Sequence, residues 1–150
     1  MGLFKMSKES FKAFLKRKDI EFSAKRYGID ALGAMAQGLF ASLLIGTILS
    51  TIGTQFNIAI FNEMGDFAKT VAGSAMAVAI GFALKAPPLV LFSLVAVGWA
   101  ANNLGGAGGP LAVLLITIVS AELGKAVSKE TKVDILVTPL TVIISGALLS

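Results

Sequence analysis

The chain has 150 residues, of which 55% are hydrophobic and 15% charged, and its mean hydropathy is +0.83. It contains no cysteine and no histidine, which excludes a disulfide scaffold, a thiolate metal site, a catalytic cysteine and histidine chemistry. A water-soluble enzyme of this length would need more polar surface. Phosphate-loop, HExxH and dinucleotide motifs are missing from the sequence, so no self-contained catalytic site, metal site or cofactor site is predicted.

The charged residues are spaced unevenly along the chain. Eight of the thirteen basic residues lie in the first thirty positions, so the net charge of +4 describes one end of the chain and does not indicate a nucleic-acid partner. Residues 31–62 and 86–121 carry no charge. The first gap can hold a helix of about 20 residues across a bilayer, and the second can hold two short spans. The sequence therefore predicts an integral membrane protein.

The predicted fold is an all-α polytopic helical bundle with about five transmembrane segments. Residues 1–30 form a basic amphipathic segment, and residues 31–150 form the transmembrane domain. The predicted spans cover residues 31–52, 67–84, 86–104, 110–125 and 135–150. The last run is short for a span and has no flanking charge, so we expect the transmembrane domain to continue in a longer protein. A tilted or kinked final helix is the alternative.

Lysine and arginine positions predict the orientation of the spans. If the amino terminus is in the cytoplasm, the basic residues of the first thirty positions lie on the inner side of the membrane. Lys85 lies there too, as do Lys125, Lys129 and Lys132. Every basic residue except Lys69 then lies on the inner side. Residues 53–66 and 105–110 fall outside. For residues 53–66 a short outside helix and a partly re-entrant piece both remain open.

The amino-terminal segment has the pattern of an amphipathic helix. Four apolar residues fall within about 40° of one another at 100° per residue; they are Phe4, Phe11, Leu15 and Phe22. Lysines flank this stripe at Lys8, Lys12 and Lys16. The pattern favours a helix lying on the anionic inner leaflet, because the first span follows directly. A calmodulin-type target and a nucleic-acid patch have the same charge pattern.

Small residues recur every four positions in the first two spans. In the first they are Ala34, Gly38, Ser42, Gly46 and Ser50; in the second they are Gly73, Ala77 and Gly81. Residues four apart share a helix face, and small residues there allow close approach of two helices in lipid. The stripes favour plain helix packing, with the lining of a narrow pathway as the alternative.

The segment between the third and fourth spans is rich in glycine and amide side chains. Its backbone cannot continue a helix cheaply, and non-helical backbone at membrane depth is tolerated where it is buried or lines a wet cavity. Amides beside an aromatic ring suit a hydroxyl-rich solute such as a sugar, and exposed backbone N–H groups suit an anion. The predicted substrate-binding residues here are Trp99, Asn102, Asn103, Gly105, Gly106, Gly108 and Gly109. A tight extracellular hairpin with Trp99 as an interface anchor is the alternative.

Glu122 is the only acid predicted inside a span and completes the predicted substrate-binding set. Acids within the membrane usually serve a pathway or find a partner. An ion pair with Lys125, three residues later on the same helix, is the favoured interpretation. Hydrogen bonding to substrate and proton carriage are the alternatives.

Four stretches together resemble a known family. They are EFSAKRYGID (21–30), AMAQGLF (34–40), NNLGGAGGP (102–110) and AELG (121–124). The chain resembles the membrane-embedded IIC component of the bacterial sugar phosphotransferase system, and more narrowly the branch that includes regulators of the toxin perfringolysin. Members of that branch are usually about twice this length, which agrees with the expectation that this is the amino-terminal part of a longer protein.

The resemblance implies a homodimeric permease in the bacterial plasma membrane. Such a permease moves a sugar-like solute inward while cytoplasmic IIA and IIB subunits supply the phosphoryl group. Characterised IIC proteins often use a histidine and a glutamate near the sugar; this sequence has no histidine, so no catalytic residue is carried over, and participation in an enzyme complex stays open. The leading hypothesis is a sugar transporter working by alternating access around the glycine-rich turn. A membrane regulator or scaffold without coupled transport is the second, and a passive channel the third.

Overall fold

The computed structural model describes the backbone of residues 2–20, 23–128 and 134–149. Within these ranges the regular elements are all helical, as the sequence predicts. We number seven helices: α1 Gly2–Arg17, α2 Lys25–Phe56, α3 Ala59–Thr70, α4 Ala72–Ala83, α5 Pro88–Leu104, α6 Gly109–Val127 and α7 Asp134–Leu149. A single 3-10 turn, Gly106–Gly108, joins α5 to α6.

Two of the described helices, α2 and α6, are long and apolar enough to cross a membrane. Helices α4 and α5 and residues Ile135–Leu149 of α7 are shorter apolar helices. The ends of α5, α6 and α7 lie within one or two residues of the predicted ends. The number of spans, five, stays a prediction.

Helix α2 is longer than the span predicted over residues 31–52. It has 32 residues, or about 48 Å at 1.5 Å per residue. It begins in a π-helical stretch, Lys25–Asp30, and contains a second, Phe40–Leu44. Residues 25–30, which the sequence analysis grouped with the amino-terminal segment, are therefore the first turns of α2. Hydropathy locates the apolar part of a helix, whereas its backbone hydrogen bonds continue through the charged turns.

The predicted second span, 67–84, is divided between two helices that meet at Val71. Helix α3 begins after a turn at Asn57 and runs back along the second half of α2, and α4 packs on the first half. A Cβ added at Gly53 would lie 2.5 Å from Asn62 Oδ1, and one added at Gly38 would lie 2.6 Å from the carbonyl oxygen of Ala75. Much of the segment predicted outside is thus a helix folded back on α2.

The small-residue stripes lie at helix contacts. A Cβ added at Gly46 would lie 2.8 Å from the carbonyl oxygen of Gly65, where α2 meets α3. On α4, Gly73 faces Gly98 of α5, and Ala77 contacts the same glycine. Helices α5, α6 and α7 pack on one another, and α4 packs on α5 and α6. The backbones approach closely because these positions lack larger side chains.

Helix α1 ends at Arg17, and the chain then turns through Asp19, which has a φ of 57°. The amides of Asp19 and Ile20 donate to the carbonyls of Lys16 and Leu15, a Schellman-type ending. Ile20 is buried and Leu15 half-buried, and both line an apolar groove between α1 and α6. Of the predicted amphipathic stripe, Phe11 is exposed, while the side chains of Phe4, Lys8 and Phe22 lie outside the described residues.

Candidate functional site

The glycine-rich turn lies at one end of α5 and α6. Helix α5 ends at Leu104, and α6 begins at Gly109 with Pro110 in its first turn. Gly106 has a φ of 57°, a backbone conformation that glycine adopts without steric penalty. The sequence predicted this break, and the structure places it between two helices that lie side by side.

Asn102 lies on the side of the turn that faces the helix bundle. A Cβ added at Gly109 would lie 2.5 Å from Asn102 Oδ1, and one added at Gly73 would lie 2.5 Å from Asn102 Cβ. Asn102 is therefore packed between α4 and α6. Its side chain is half-buried, so this residue fixes the turn against the bundle.

Trp99 and Asn103 lie on the outer face of α5, one turn apart. Trp99 is 51% exposed, and Asn103 Nδ2 donates a hydrogen bond of 2.6 Å to the Trp99 carbonyl oxygen. The structure thus joins the Asn103 amide to the backbone of Trp99, and a joint contact of the two side chains with a solute stays a prediction. Asn103 Oδ1 remains available as an acceptor among the described contacts.

Glu122 lies far from this turn. It is thirteen residues after Gly109 on α6, or about 20 Å at 1.5 Å per residue. The predicted substrate-binding residues therefore form two groups, the glycine-rich turn with Trp99, Asn102 and Asn103, and Glu122 near the other end of the bundle.

Glu122 belongs to a buried ionic cluster centred on Lys125. Lys125 Nζ donates to Glu122 Oε1 at 3.2 Å, to the Leu84 carbonyl at 2.6 Å and to the Asp19 carbonyl at 2.5 Å. The lysine is 1% exposed. Its three N–H donors are thus used by three separate parts of the chain. The ion pair predicted between Glu122 and Lys125 is confirmed.

Two further residues of the cluster come from the start of α2 and were not predicted. Tyr27 donates its hydroxyl to Glu122 Oε2 at 3.1 Å. Arg26 donates to the Asp19 carbonyl at 2.6 Å and to Asp19 Oδ1 at 3.2 Å. Because Tyr27 and Glu122 are 95 positions apart, no helical spacing could have revealed the pair. The one available signal was the occurrence of Arg26 and Tyr27 in a stretch that carries the family resemblance.

The cluster joins the connections that the predicted orientation places on the inner side. Three segments meet there: the chain before α2, the turn between α4 and α5, and the last turns of α6. We call this part of the molecule the basic end. In the part of the chain with described side chains, no group of three acidic, cysteine or histidine residues is arranged to hold a metal ion.

A family model for the EIIC component of the phosphotransferase system matches residues 29–150. The chain belongs to this family. The matched region includes the glycine-rich turn, Glu122 and Lys125, while α1 and the first turn of α2 precede it. No curated protein and no solved structure gives a significant match to the chain.

Membership of the EIIC family explains why many apolar side chains of these helices are exposed. EIIC proteins are the integral membrane components of phosphotransferase systems, so the exposed leucine, isoleucine and phenylalanine side chains of this chain belong in a bilayer. The same membership associates the chain with the IIA and IIB components of such a system.

Proposed function

We propose that this EIIC chain is the permease that carries a sugar or sugar-like solute across the bacterial plasma membrane. The family match over residues 29–150 carries this proposal. In the proposed orientation the amino terminus and the basic end face the cytoplasm, with five spans formed by α2, α3 with α4, α5, α6 and α7. The distribution of lysine and arginine supports that orientation.

The solute-contacting residues in this proposal surround the glycine-rich turn. The exposed Trp99 ring offers an apolar face for the C–H groups of a sugar, and the Asn103 amide beside it pairs with hydroxyls. Asn102 and the turn residues Gly105, Gly106, Gly108 and Gly109 shape the backbone around them. In this proposal Glu122 lies at the opposite end of the solute pathway. At that end α2 and α6 would move relative to each other during alternating access.

The proposed partners follow from the same function. Cytoplasmic IIA and IIB subunits would approach the basic end, and two permease chains would form a homodimer. The lipid bilayer surrounds the exposed apolar faces. The narrower assignment to the branch of perfringolysin regulators stays a prediction.

Uptake into proteoliposomes tests the proposal. The full chain is reconstituted, and a panel of radiolabelled sugars is offered with and without phosphorylated IIA and IIB proteins. We expect saturable binding or uptake of at least one sugar, weakened about tenfold by Trp99→Ala because a sugar would lose its stacking surface. Phe92→Ala, another exposed aromatic of α5, is the matched control and leaves uptake unchanged.

Two outcomes contradict the proposal. One is the absence of saturable binding and uptake for every sugar offered. The other is a steady ionic conductance in planar bilayers, which a carrier does not produce and a passive channel does.

A further inference from the structure

The apolar groove between α1 and α6 has a volume of about 420 Å³, which is in the range of small-molecule sites. One wall comes from α1 and the turn that follows it, and the other comes from the second half of α6. Most of the wall is aliphatic or aromatic. The apolar residues that matter below are Phe11, Leu15, Ile20, Val119, Leu123 and Ala126.

Glu122 is the only charged residue among the described residues that line this groove. Both of its carboxylate oxygens are already used: Oε2 accepts from the Tyr27 hydroxyl at 3.1 Å, and Oε1 accepts from Lys125 at 3.2 Å. The charge of Glu122 is therefore balanced within the protein. A hydrocarbon chain loses nothing by entering such a groove, whereas a polar group would give up its water for few new hydrogen bonds.

The groove is open to the surroundings of α6. Val119 and Leu123 on α6 are 43% and 45% exposed, and Phe11 on α1 is 56% exposed. Within the described chain the backbones of α1 and α6 are not closely packed. Because α6 is long and apolar enough to cross a membrane and EIIC proteins are integral membrane proteins, the hydrocarbon available at this groove is the acyl chain of a lipid.

A second cavity, of about 400 Å³, adjoins the groove. The two share Leu15 and Ile20 in their walls. A single molecule can therefore occupy both, with one part in each.

The second cavity carries the charges that the groove lacks. Lys12 and Lys16 line it one turn apart on α1, both exposed, and neither makes an ion pair with another described residue. Asp19, the acid in the same wall, is paired with Arg26 at 3.2 Å. Two neighbouring lysine ammonium groups beside a recess favour an anionic group there.

We propose that the groove and the second cavity together bind one anionic phospholipid. Its acyl chain lies in the groove, and its head-group phosphate accepts hydrogen bonds from the ammonium groups of Lys12 and Lys16. This goes beyond the attraction of a basic helix to an anionic membrane surface, because it assigns one lipid molecule to a defined place between α1 and α6. The inference stands apart from the proposed transport of sugar, since it uses neither the glycine-rich turn nor a solute bound there.

Native mass spectrometry tests the inference. The full chain is extracted from nanodiscs that contain equal amounts of phosphatidylglycerol and phosphatidylcholine, and the retained lipids of each kind are counted. The double variant Lys12→Gln with Lys16→Gln removes the charges, and Ala126→Trp fills the groove. The controls are Lys85→Asn, at an exposed lysine outside both cavities, and Ala41→Trp, at an exposed alanine of α2. Circular dichroism checks that each variant is folded.

We expect the wild type to retain phosphatidylglycerol in preference to phosphatidylcholine. The double lysine variant should retain about tenfold less phosphatidylglycerol, because each lysine near the head group contributes to its attraction. Ala126→Trp should also lower retention, because the indole takes the space of the acyl chain. The two controls should retain lipid as the wild type does.

Four results would overturn the inference. The first is a wild type without preference for phosphatidylglycerol. The second is a double lysine variant that retains this lipid as the wild type does. The third is unchanged retention by Ala126→Trp, which would mean that the lysines attract lipid to the surface without a site in the groove. The fourth is a control that loses as much lipid as its matched variant.

Discussion

The hydroxyl of Tyr27 in α2 donates a hydrogen bond of 3.1 Å to Glu122 Oε2 in α6. The other carboxylate oxygen of Glu122 accepts from Lys125 at 3.2 Å. A single carboxylate thus ties the first turns of α2 to the last turns of α6. Any movement that separates the two helices at this end has to break one bond to a charged group.

The first prediction concerns that bond. Tyr27→Phe removes the hydroxyl and keeps the ring, so the free energy of unfolding in detergent should fall by about 2 kcal/mol, the typical contribution of a hydrogen bond to a charged group. Thermal unfolding followed by circular dichroism measures the change. A melting temperature within error of the wild type would contradict the contact between Tyr27 and Glu122.

The second prediction concerns Lys125. Lys125→Met leaves the buried Glu122 carboxylate without its ionic partner and the Leu84 carbonyl without the lysine donor, so unfolding should become easier by about 3–5 kcal/mol. Lys69→Met is the control: its pair with Asp66 has an N···O distance of 3.6 Å, and the aspartate side chain is 73% exposed. That pair should contribute less than about 1 kcal/mol. If chemical denaturation showed the same loss of unfolding free energy in both variants, the cluster would not be the main interaction that holds the helices together at the basic end.

The third prediction concerns the crossing of α4 and α5. A Cβ added at Gly98 would lie 2.5 Å from Ala77 Cβ and closer still to the Gly73 carbonyl, so Gly98→Ala should destabilise the fold by about 1–3 kcal/mol. At Gly33 nothing lies within 4 Å of such a Cβ. Gly33→Ala should therefore raise stability by up to about 1 kcal/mol through helix propensity. A neutral Gly98→Ala would mean that the two helices are further apart.

The helix ends that the sequence could predict are those marked by proline and glycine. Pro88 begins α5, and Gly105 to Pro110 separate α5 from α6, because proline favours the first turn of a helix and a run of glycines disfavours its continuation. Helix α3 was predicted only in part, because residues 53–66 were left open between a short outside helix and a partly re-entrant piece and residues 67–70 were assigned to the second span. It carries Glu63, Asp66 and Lys69, so hydropathy assigned part of it to an outside segment, although charged residues are compatible with helical backbone.

The candidate site was predictable only in its local parts. Asn103 and Trp99 are one helical turn apart, as are Glu122 and Lys125, so spacing alone placed each pair together. The bonds of Lys125 to Asp19 and Leu84 depend on how separate helices pack. No periodicity within a single sequence encodes that packing, which is why the basic-end cluster emerged only from the structure.

The fourth prediction concerns orientation. Because the chain has no cysteine, single cysteines can be labelled in intact cells with a membrane-impermeant maleimide. Gly108→Cys, at a position where an added Cβ would have nothing within 4 Å, should be labelled from outside. Lys12→Cys on α1 should be labelled only after the membrane is permeabilised, since the basic segment stays in the cytoplasm. The reverse pattern would overturn the orientation.

The fifth prediction concerns the backbone turn at Lys85. This residue has a φ of 62°, and its amide and that of Ala86 donate to the carbonyls of Phe82 and Gly81, an arrangement in which glycine is the usual residue. A side chain in this conformation costs roughly 1–2 kcal/mol, part of which glycine would regain.

Lys85→Gly should therefore raise the melting temperature, as measured by circular dichroism. Asn57→Gly, at the other turn with a φ of 53°, is the control and should change stability less, because asparagine tolerates this conformation. If Lys85→Gly lowered the melting temperature, the lysine side chain would be stabilising the turn itself.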